Sequence, residues 1–575
     1  MLRRCAPALL GLLLGTTSGL SAQYFGQNKV QYESFDFKII QTQHFDVYFY
    51  ERERPAATDV ARMAERSYAR LSRVLNHQFH ERKPILVYAS HADFVQTNAT
   101  PDELGEGTGG FTDFLKHRNI FPLTGSYAEN QHVLTHEMTH QFQYDIWSGG
   151  KAGGGISTLI AVNPPLWFVE GMAEYMSIGP VDPNTAMWLR DASIEGKLPT
   201  INQLENDPRV FPYRFGHALL AYIGERWGDE AIGAILQTSR TAGIEGAFRR
   251  VLGLTLAQLS DQWRDAVLKK YLPEIGTRPK ARAVATPMLT KERSQGTLHL
   301  APALSPDGTK VAYFSEKDFF FIDLYLADVA TGKVDRRLLK STYSSNYETF
   351  RFINSQASWS PDGRFIATAG KRGPRDEIVV IDVKRNRQVG RIRVDLNGVT
   401  TPSWSPDGKQ LVFTGYDGGI SDLFVVDADG RNLRRLTHDK YADFDPVWSP
   451  DGKTIAFATD RGPKTDFTLL DFGKLRIATY DLDTGAIRVL PHMDEGTNVS
   501  VQWAPDGKSL AFVSDRTGVS NIFLYDLDTG NIRVLPHMDE GTNVSVQWAP
   551  DGKSLAFVSD RTGVSNIFLY DLGAD

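Results

Sequence analysis

The segment Leu134-Thr135-His136-Glu137-Met138-Thr139-His140-Gln141-Phe142 has the residue types and spacing to do chemistry. On a helix, residues four apart share a face, so the imidazoles of His136 and His140 can point at one metal ion. Glu137, one residue on, is left to reach a water beside the metal rather than the metal itself. Zinc lowers the pKa of such a water toward ~7, and a nearby carboxylate can then take its proton as it attacks a carbonyl. Val133, Leu134, Met138 and Phe142 would form the apolar back of the helix.

Two histidines at this spacing also fit a surface helix with solvated side chains. The segment Pro165-Leu166-Trp167-Phe168-Val169-Glu170-Gly171-Met172-Ala173-Glu174-Tyr175 argues against that, because it sets two carboxylates four apart on a predicted helix. A catalytic zinc needs a third protein ligand and one open position. Glu170 can provide the ligand, while Glu174 can hold a ligating imidazole from behind; Glu174 as the ligand itself is the alternative. HExxH followed by a W-F-x-E-G-x-A-E-Y helix resembles the gluzincin (peptidase-MA-like) zinc metallopeptidases, over about Phe45 to Tyr271. That resemblance implies an α+β zincin-like metallopeptidase domain, Zn2+ as cofactor, Glu170 as third ligand, and hydrolysis of a peptide or protein substrate with Glu137 as general base.

The chain also departs from the family. His140 and Glu170 have 29 residues between them, more than in many gluzincins, and the Gly-rich stretch Ser148 to Gly155 reads as an inserted loop. No histidine follows at the metzincin spacing, since Phe142, Gln143 and Tyr144 come straight after. Tyr127-Ala128-Glu129-Asn130 lies too close to His136 to be a separate substrate-anchoring strand, so no exopeptidase mode is assigned. Gly109-Gly110-Phe111 or Asn119-Ile120-Phe121 is expected to form an edge strand that pairs with extended substrate. Tyr213-Arg214-Phe215-Gly216 resembles a Y-x-x-G segment whose tyrosine stabilises an oxyanion; a packed tyrosine at a helix start is the other reading. His217 reads as a satisfied histidine, and His44, His77, His80, His91, His117 and His132 lack metal-ligand spacing.

These residues need a scaffold. Phe45 to Tyr50 and Pro84 to Ala89 alternate like strands, with an amphipathic helix between them over Ala56 to Leu75. Further helices are predicted around Leu166–Ser177, Tyr213–Trp227, Asp229–Gln237 and Leu256–Tyr271. A Ser/Ala-Pro-Asp-Gly turn then recurs six times, at Asp307, Asp362, Asp407, Asp451, Asp506 and Asp551, with Trp before it in all but the first. The spacings are 55, 45, 44, 55 and 45 residues, and each turn is followed by alternating runs such as Leu411 to Thr414 and Leu423 to Asp427. Four short strands in ~45 residues make one propeller blade. The repeats resemble the TolB-like β-propellers, whose blades carry a WSPDG turn. Val284 to Thr290 is expected to close a ring of about six blades by supplying the last blade's outer strand; the alternative is a truncated chain. Residues 480–527 and 525–572 differ only at Ala486 against Asn531, which marks a recent duplication or an assembly error and leaves the blade count open.

Arg3 and Arg4, the apolar run Ala6 to Leu14 and the small residues up to Ala22 read as an export signal. The expected organisation is a signal peptide at 1–22, the metallopeptidase domain at 23–275, a linker at 276–283 and the propeller at 284–575. Cys5, the single cysteine, lies inside the signal, so the mature chain would have neither disulfides nor thiol catalysis. A net charge of −6 without long runs of one sign argues against nucleic acid as a partner. The expectation is an exported protein of the periplasm, cell envelope or extracellular space, with no transmembrane segment after signal cleavage. The expected partners are a substrate and a protein bound by the propeller; the competing reading is a cell-envelope scaffold with a residual peptidase fold.

Overall fold

The computed structural model describes residues 31–573 apart from 101–102, 151–159, 276–284, 297, 318–321, 341–348, 354, 537, 539–542 and 560–564. The expected signal at 1–22 and linker at 276–283 lie outside the described residues, as does most of the expected inserted loop after Gly150.

The N-terminal part is a mixed α/β region. Strands β1 (Lys38–Gln41), β2 (Phe45–Phe49), β3 (Lys83–Tyr88), β4 (Phe111–Asp113) and β5 (Arg118–Pro122) form one sheet in the order β1-β2-β3-β5-β4. β3 runs parallel to both its neighbours, whereas β1 and β4 are antiparallel edges. In β2 the alternation read from the sequence is the burial pattern itself: Phe45, Val47 and Phe49 are buried and the residues between them half-buried. Of the two expected edge strands, Phe111 lies on the edge and Asn119 to Phe121 lie inside the sheet.

Helix α1 (Arg54–Val74) covers the sheet through Ala57, Met63, Ala64 and Leu71. Helix α2 (Tyr127–Ser148) starts at Ser126, whose hydroxyl accepts from Glu129 N, and ends at Gly149 in the left-handed region (φ +69°). Then follow α3 (Leu166–Ile178), α4 (Pro183–Ile194), α5 (Pro212–Trp227), α6 (Asp229–Leu252) and α7 (Leu256–Ile275). α6 outruns its expected end at Gln237 because two helical stretches join at Gly243, whose φ of +68° bends the chain. Among the described residues, no helix is long and apolar enough to cross a membrane.

The C-terminal part is an all-β propeller of six blades. The third blade, in the order Gly398–Trp404, Gln410–Asp417, Ile420–Asp427 and Arg434–Arg435, is a four-stranded antiparallel meander. The sixth, Asn543–Trp548, Ser554–Ser559 and Asn566–Asp571, takes its outer strand from Ala285–Leu289, as expected. That pairing closes the ring, and the edges left on the blades are those of their short outer strands. The recurring turn has a local cause: in the first blade Asp307 accepts from Ser305 Oγ (2.6 Å) and Thr309 N (3.0 Å), while Gly308 takes φ +70°. Two of the tryptophans tie neighbouring blades together by hydrogen bonds: Trp359 Nε1 donates to Ala303 O and Trp448 Nε1 to Ser403 O.

The two parts pack on each other at the beginning of α2. The hairpin between Thr454–Thr459 and Arg476–Asp481 brings Phe467 and Phe472 against Tyr127 at 5.4 and 5.7 Å. Leu470 of that hairpin is buried in the N-terminal core. Arg66 donates to the carbonyls of Leu469 and Leu470, Lys440 pairs with Asp59, and Ser421 Oγ donates to Gly125 O.

Candidate metal centre

Helix α2 turns Val133, Leu134, Met138 and Phe142 into the core, which leaves His136 and His140 on the face toward α3. Glu170 comes from the second turn of α3, and its Oε2 lies 3.3 Å from His136 Nε2 and 3.4 Å from His140 Nε2. Ligand atoms of His136, His140 and Glu170 all fall within 4.8 Å of one another, and among the described residues no other group of this kind is present. Glu174, a turn further on, stands behind: its Oε1 is 3.6 Å from His136 Nδ1 and its Oε2 accepts from Arg214 at 3.2 Å. Of the two carboxylates, then, Glu170 faces both imidazoles at their Nε2 atoms and Glu174 faces the far side of one.

Gln143 orients the second histidine. Its Oε1 sits 2.9 Å from His140 Nδ1, and its Nε2 donates to Val169 O on α3. The amide oxygen can only accept, so Nδ1 carries a proton and Nε2 is the nitrogen that faces Glu170.

Two glycines let the helices come this close. A Cβ on Gly171 would lie 2.5 Å from Gly216 C, and one on Gly216 would lie 2.3 Å from Trp167 O. The glycines of W-F-V-E-G and Y-R-F-G are therefore the contact between α3 and α5, and this crossing carries Tyr213 and Arg214 to Glu170 and Glu174. Tyr213 stacks on Phe211 at 4.8 Å. Its phenol is pushed well above the ordinary value by burial, then by the charges of Glu170 and Glu137, so it stays a proton donor.

Electrostatically the three groups call for positive charge between them. Burial opposes ionising Glu170, yet hydrogen bonds from His136 and His140 hold it down at about 2. Burial likewise opposes charging His140, but Glu170 lifts it to about 9. Two imidazole nitrogens and one carboxylate with a common focus are a three-ligand set of the kind zinc takes, and Glu137 is left out of it.

The other histidines have different work. His217 is buried between Thr185 Oγ1 (2.9 Å) and Gly179 O (2.7 Å), which agrees with its reading as satisfied. His77 and His117 surround the buried carboxylate of Asp145 together with Lys83, at 2.7, 3.3 and 2.6 Å. The sequence pattern gives the side chains of Gln143, Arg214, Thr112 and Asn119 no role at this site. Only Gln143 left a local signal there, three residues after His140 and so on the same helix face.

The TolB beta propeller domain family matches this sequence over residues 288–471 and 462–575, half of the chain. The chain belongs to the TolB β-propeller family. That match covers the propeller and no part of the α/β region. Among solved structures, the TolB-type propeller is similar to TolB from Acinetobacter baumannii, at 20% identity, 48% of this chain, 70% of that one and a TM-score of 0.35. It is also similar to oligogalacturonate lyase from Vibrio parahaemolyticus, at 14% identity, 50% and 94% coverage and a TM-score of 0.35. A curated relative, an uncharacterized protein of Treponema pallidum, is 23% identical over 351 residues, 58% of this chain. The chain spans 29% of that relative's length.

Proposed function

We propose that the protein is an exported zinc-dependent metallopeptidase of the gluzincin type, with a TolB-type propeller that binds its substrate or a protein partner. The observation that carries this reading is the convergence of His136, His140 and Glu170 on one point, with Glu137 beside them and outside the donor set. His136 and His140 through Nε2, and Glu170 through its carboxylate, would hold the ion. Zinc, when bound, supplies Lewis acidity toward a water and a carbonyl oxygen.

The chain's own groups do the rest. Glu137 takes a proton from the attacking water and returns it to the departing amine. Tyr213 donates its phenolic proton in a hydrogen bond to the carbonyl oxygen as negative charge develops there. Among the described residues β4 has no strand on its outer side, and an extended peptide pairing there would lay its scissile bond beside Glu137 in the middle of α2. Arg214 pairs with Glu174 behind His136.

The test is cleavage of a mixed peptide library by wild type and Glu137→Gln, both loaded with zinc. The reading expects the wild type to cleave and the variant to fall to background with its zinc retained. Equal turnover of the two would remove Glu137 from the mechanism and the peptidase reading with it.

A second reading is favoured by the family match and by one further observation. The propeller's central channel holds a cavity of about 190 Å³ lined by Gln356, Thr401, Asp445, Ser500, Gln502 and Gln547. A channel lined by both these polar groups and apolar ones such as Leu304, Trp359 and Val447 supports a binding or scaffold protein of the periplasm or cell envelope, in which the propeller meets a protein partner and the metal site is secondary.

A further inference from the structure

The proposed general base is held from one side by a residue of the neighbouring edge strand. Thr112 lies in β4, and its Oγ1 is 2.7 Å from Glu137 Oε2 and 2.9 Å from Glu137 O. It stands directly opposite Asn119 of β5, so the two side chains share a face of the sheet, and Asn119 is fully buried beneath it.

The donors and acceptors here can be counted. A threonine hydroxyl has one proton and can give it to one of these acceptors. One orientation of the Asn119 amide turns its nitrogen toward Thr112 Oγ1 (3.0 Å) and Glu137 O (3.2 Å) and its oxygen toward Met138 N (3.2 Å), with the Gln141 amide 3.2 Å from both atoms. Asn119 then serves the backbone carbonyl and donates to the threonine oxygen. The Thr112 proton is left for the Glu137 carboxylate. Among the described residues, the other carboxylate oxygen, Oε1, has no hydrogen-bond partner.

Gly110 completes the seat. A Cβ there would stand 3.2 Å from Glu137 Cγ, 3.1 Å from Val133 Cγ1 and 3.0 Å from Phe121 Cβ, so any larger residue would press on Glu137 and its neighbours.

We propose that Thr112 is a positioning residue for Glu137: Asn119 polarises its hydroxyl, and that hydroxyl fixes one carboxylate oxygen so that the other is presented to the attacking water. The proposal rests on the peptidase reading for its kinetic consequence, but not for the geometry it predicts. Strand β4 then has two tasks, since the outer edge that would pair with substrate also carries the group that aims the base. Its placement ties correct seating of a peptide to correct aim of Glu137.

Four zinc-loaded proteins test it: wild type, Thr112→Val, Thr112→Ser and Glu137→Gln. Each is assayed for kcat, KM and zinc content, and the Thr112 variants are also crystallised. A hydrogen bond to a charged group of this kind predicts a loss of about 10- to 100-fold in kcat for Thr112→Val. KM should stay within about twofold and zinc content should match wild type, with most of the rate recovered in Thr112→Ser. In the Thr112→Val crystal the Glu137 carboxylate should have left its place beside β4. A Thr112→Val enzyme with wild-type kcat, a loss confined to KM, or no recovery in Thr112→Ser would overturn the proposal. Equal turnover by wild type and Glu137→Gln would instead strike the peptidase reading. In that case an unmoved Glu137 carboxylate in Thr112→Val would still overturn the positioning role, and a displaced one would uphold it.

Discussion

Leu470 is where the propeller enters the core of the N-terminal region, and replacing it with alanine has a calculable consequence. The side chain is 5% exposed and belongs to the same apolar cluster as Leu134, Met138 and Phe142 of α2. Its backbone sits in the left-handed region, at φ +58°, which costs a non-glycine residue about 1–2 kcal/mol. Something must hold it there, and the buried side chain together with Arg66 on its carbonyl does so. Leu470→Ala keeps the unfavourable φ and removes the anchor. Buried Leu→Ala changes cost about 2–5 kcal/mol, and a surface hairpin can partly settle into the space, so the loss should fall near the lower end, about 2–3 kcal/mol. Calorimetry reads the effect: the α/β region should unfold earlier and separate from the propeller transition. Hydrogen exchange should rise at the first turns of α2, around Tyr127, while the propeller blades stay protected. A destabilisation under about 0.5 kcal/mol with unchanged exchange at Tyr127 would refute the claim that this hairpin braces the His-bearing helix.

Two further outcomes follow from the site and its supports. Tyr213→Phe should lower kcat on a cleaved peptide by about 100-fold with zinc content unchanged, because only the developing negative charge loses its donor; a wild-type rate would return Tyr213 to the role of a packed helix-start residue. Burial works to raise Asp145, but hydrogen bonds from His117, His77 and Lys83 hold it far below the usual carboxylate range. A depressed folded value means stability that is fully present above the unfolded value of about 3.9 and lost as the pH falls below it. Lys83→Met should therefore destabilise the protein at neutral pH by about 3–5 kcal/mol and move its acid unfolding to higher pH. Circular dichroism across pH 2–7 reads both, and an unchanged acid limb would show that the pair contributes nothing.

Much of this arrangement is legible from sequence because its signals are local. The i, i+4 histidines, the four-residue step from Glu170 to Glu174 and the Pro-Asp-Gly turn each depend on a few adjacent residues. The strand-like run Val284 to Thr290 already pointed to the closure that Ala285–Leu289 makes with the sixth blade. What was not legible comes from contacts distant in the chain. Nothing near Thr112 announces that it meets Glu137, because that contact needs the β4–β5 register and the approach of α2 at Gly110. Gly171 and Gly216 each looked like a motif letter, and only the crossing of α3 with α5 shows why neither position has room for a Cβ. The docking of Phe467, Leu470 and Phe472 on Tyr127 was hidden for the same reason. A loop between two blade strands has no periodicity that names its partner.

The central claim is a zinc site built from His136, His140 and Glu170, and anomalous diffraction at the zinc edge tests it most directly. Crystals of the protein grown with zinc should show one strong peak at the focus of the three side chains, with nitrogen and oxygen ligands at about 2.0–2.2 Å. No peak there, or a peak held by other residues while His136 and His140 remain unligated, would contradict the account.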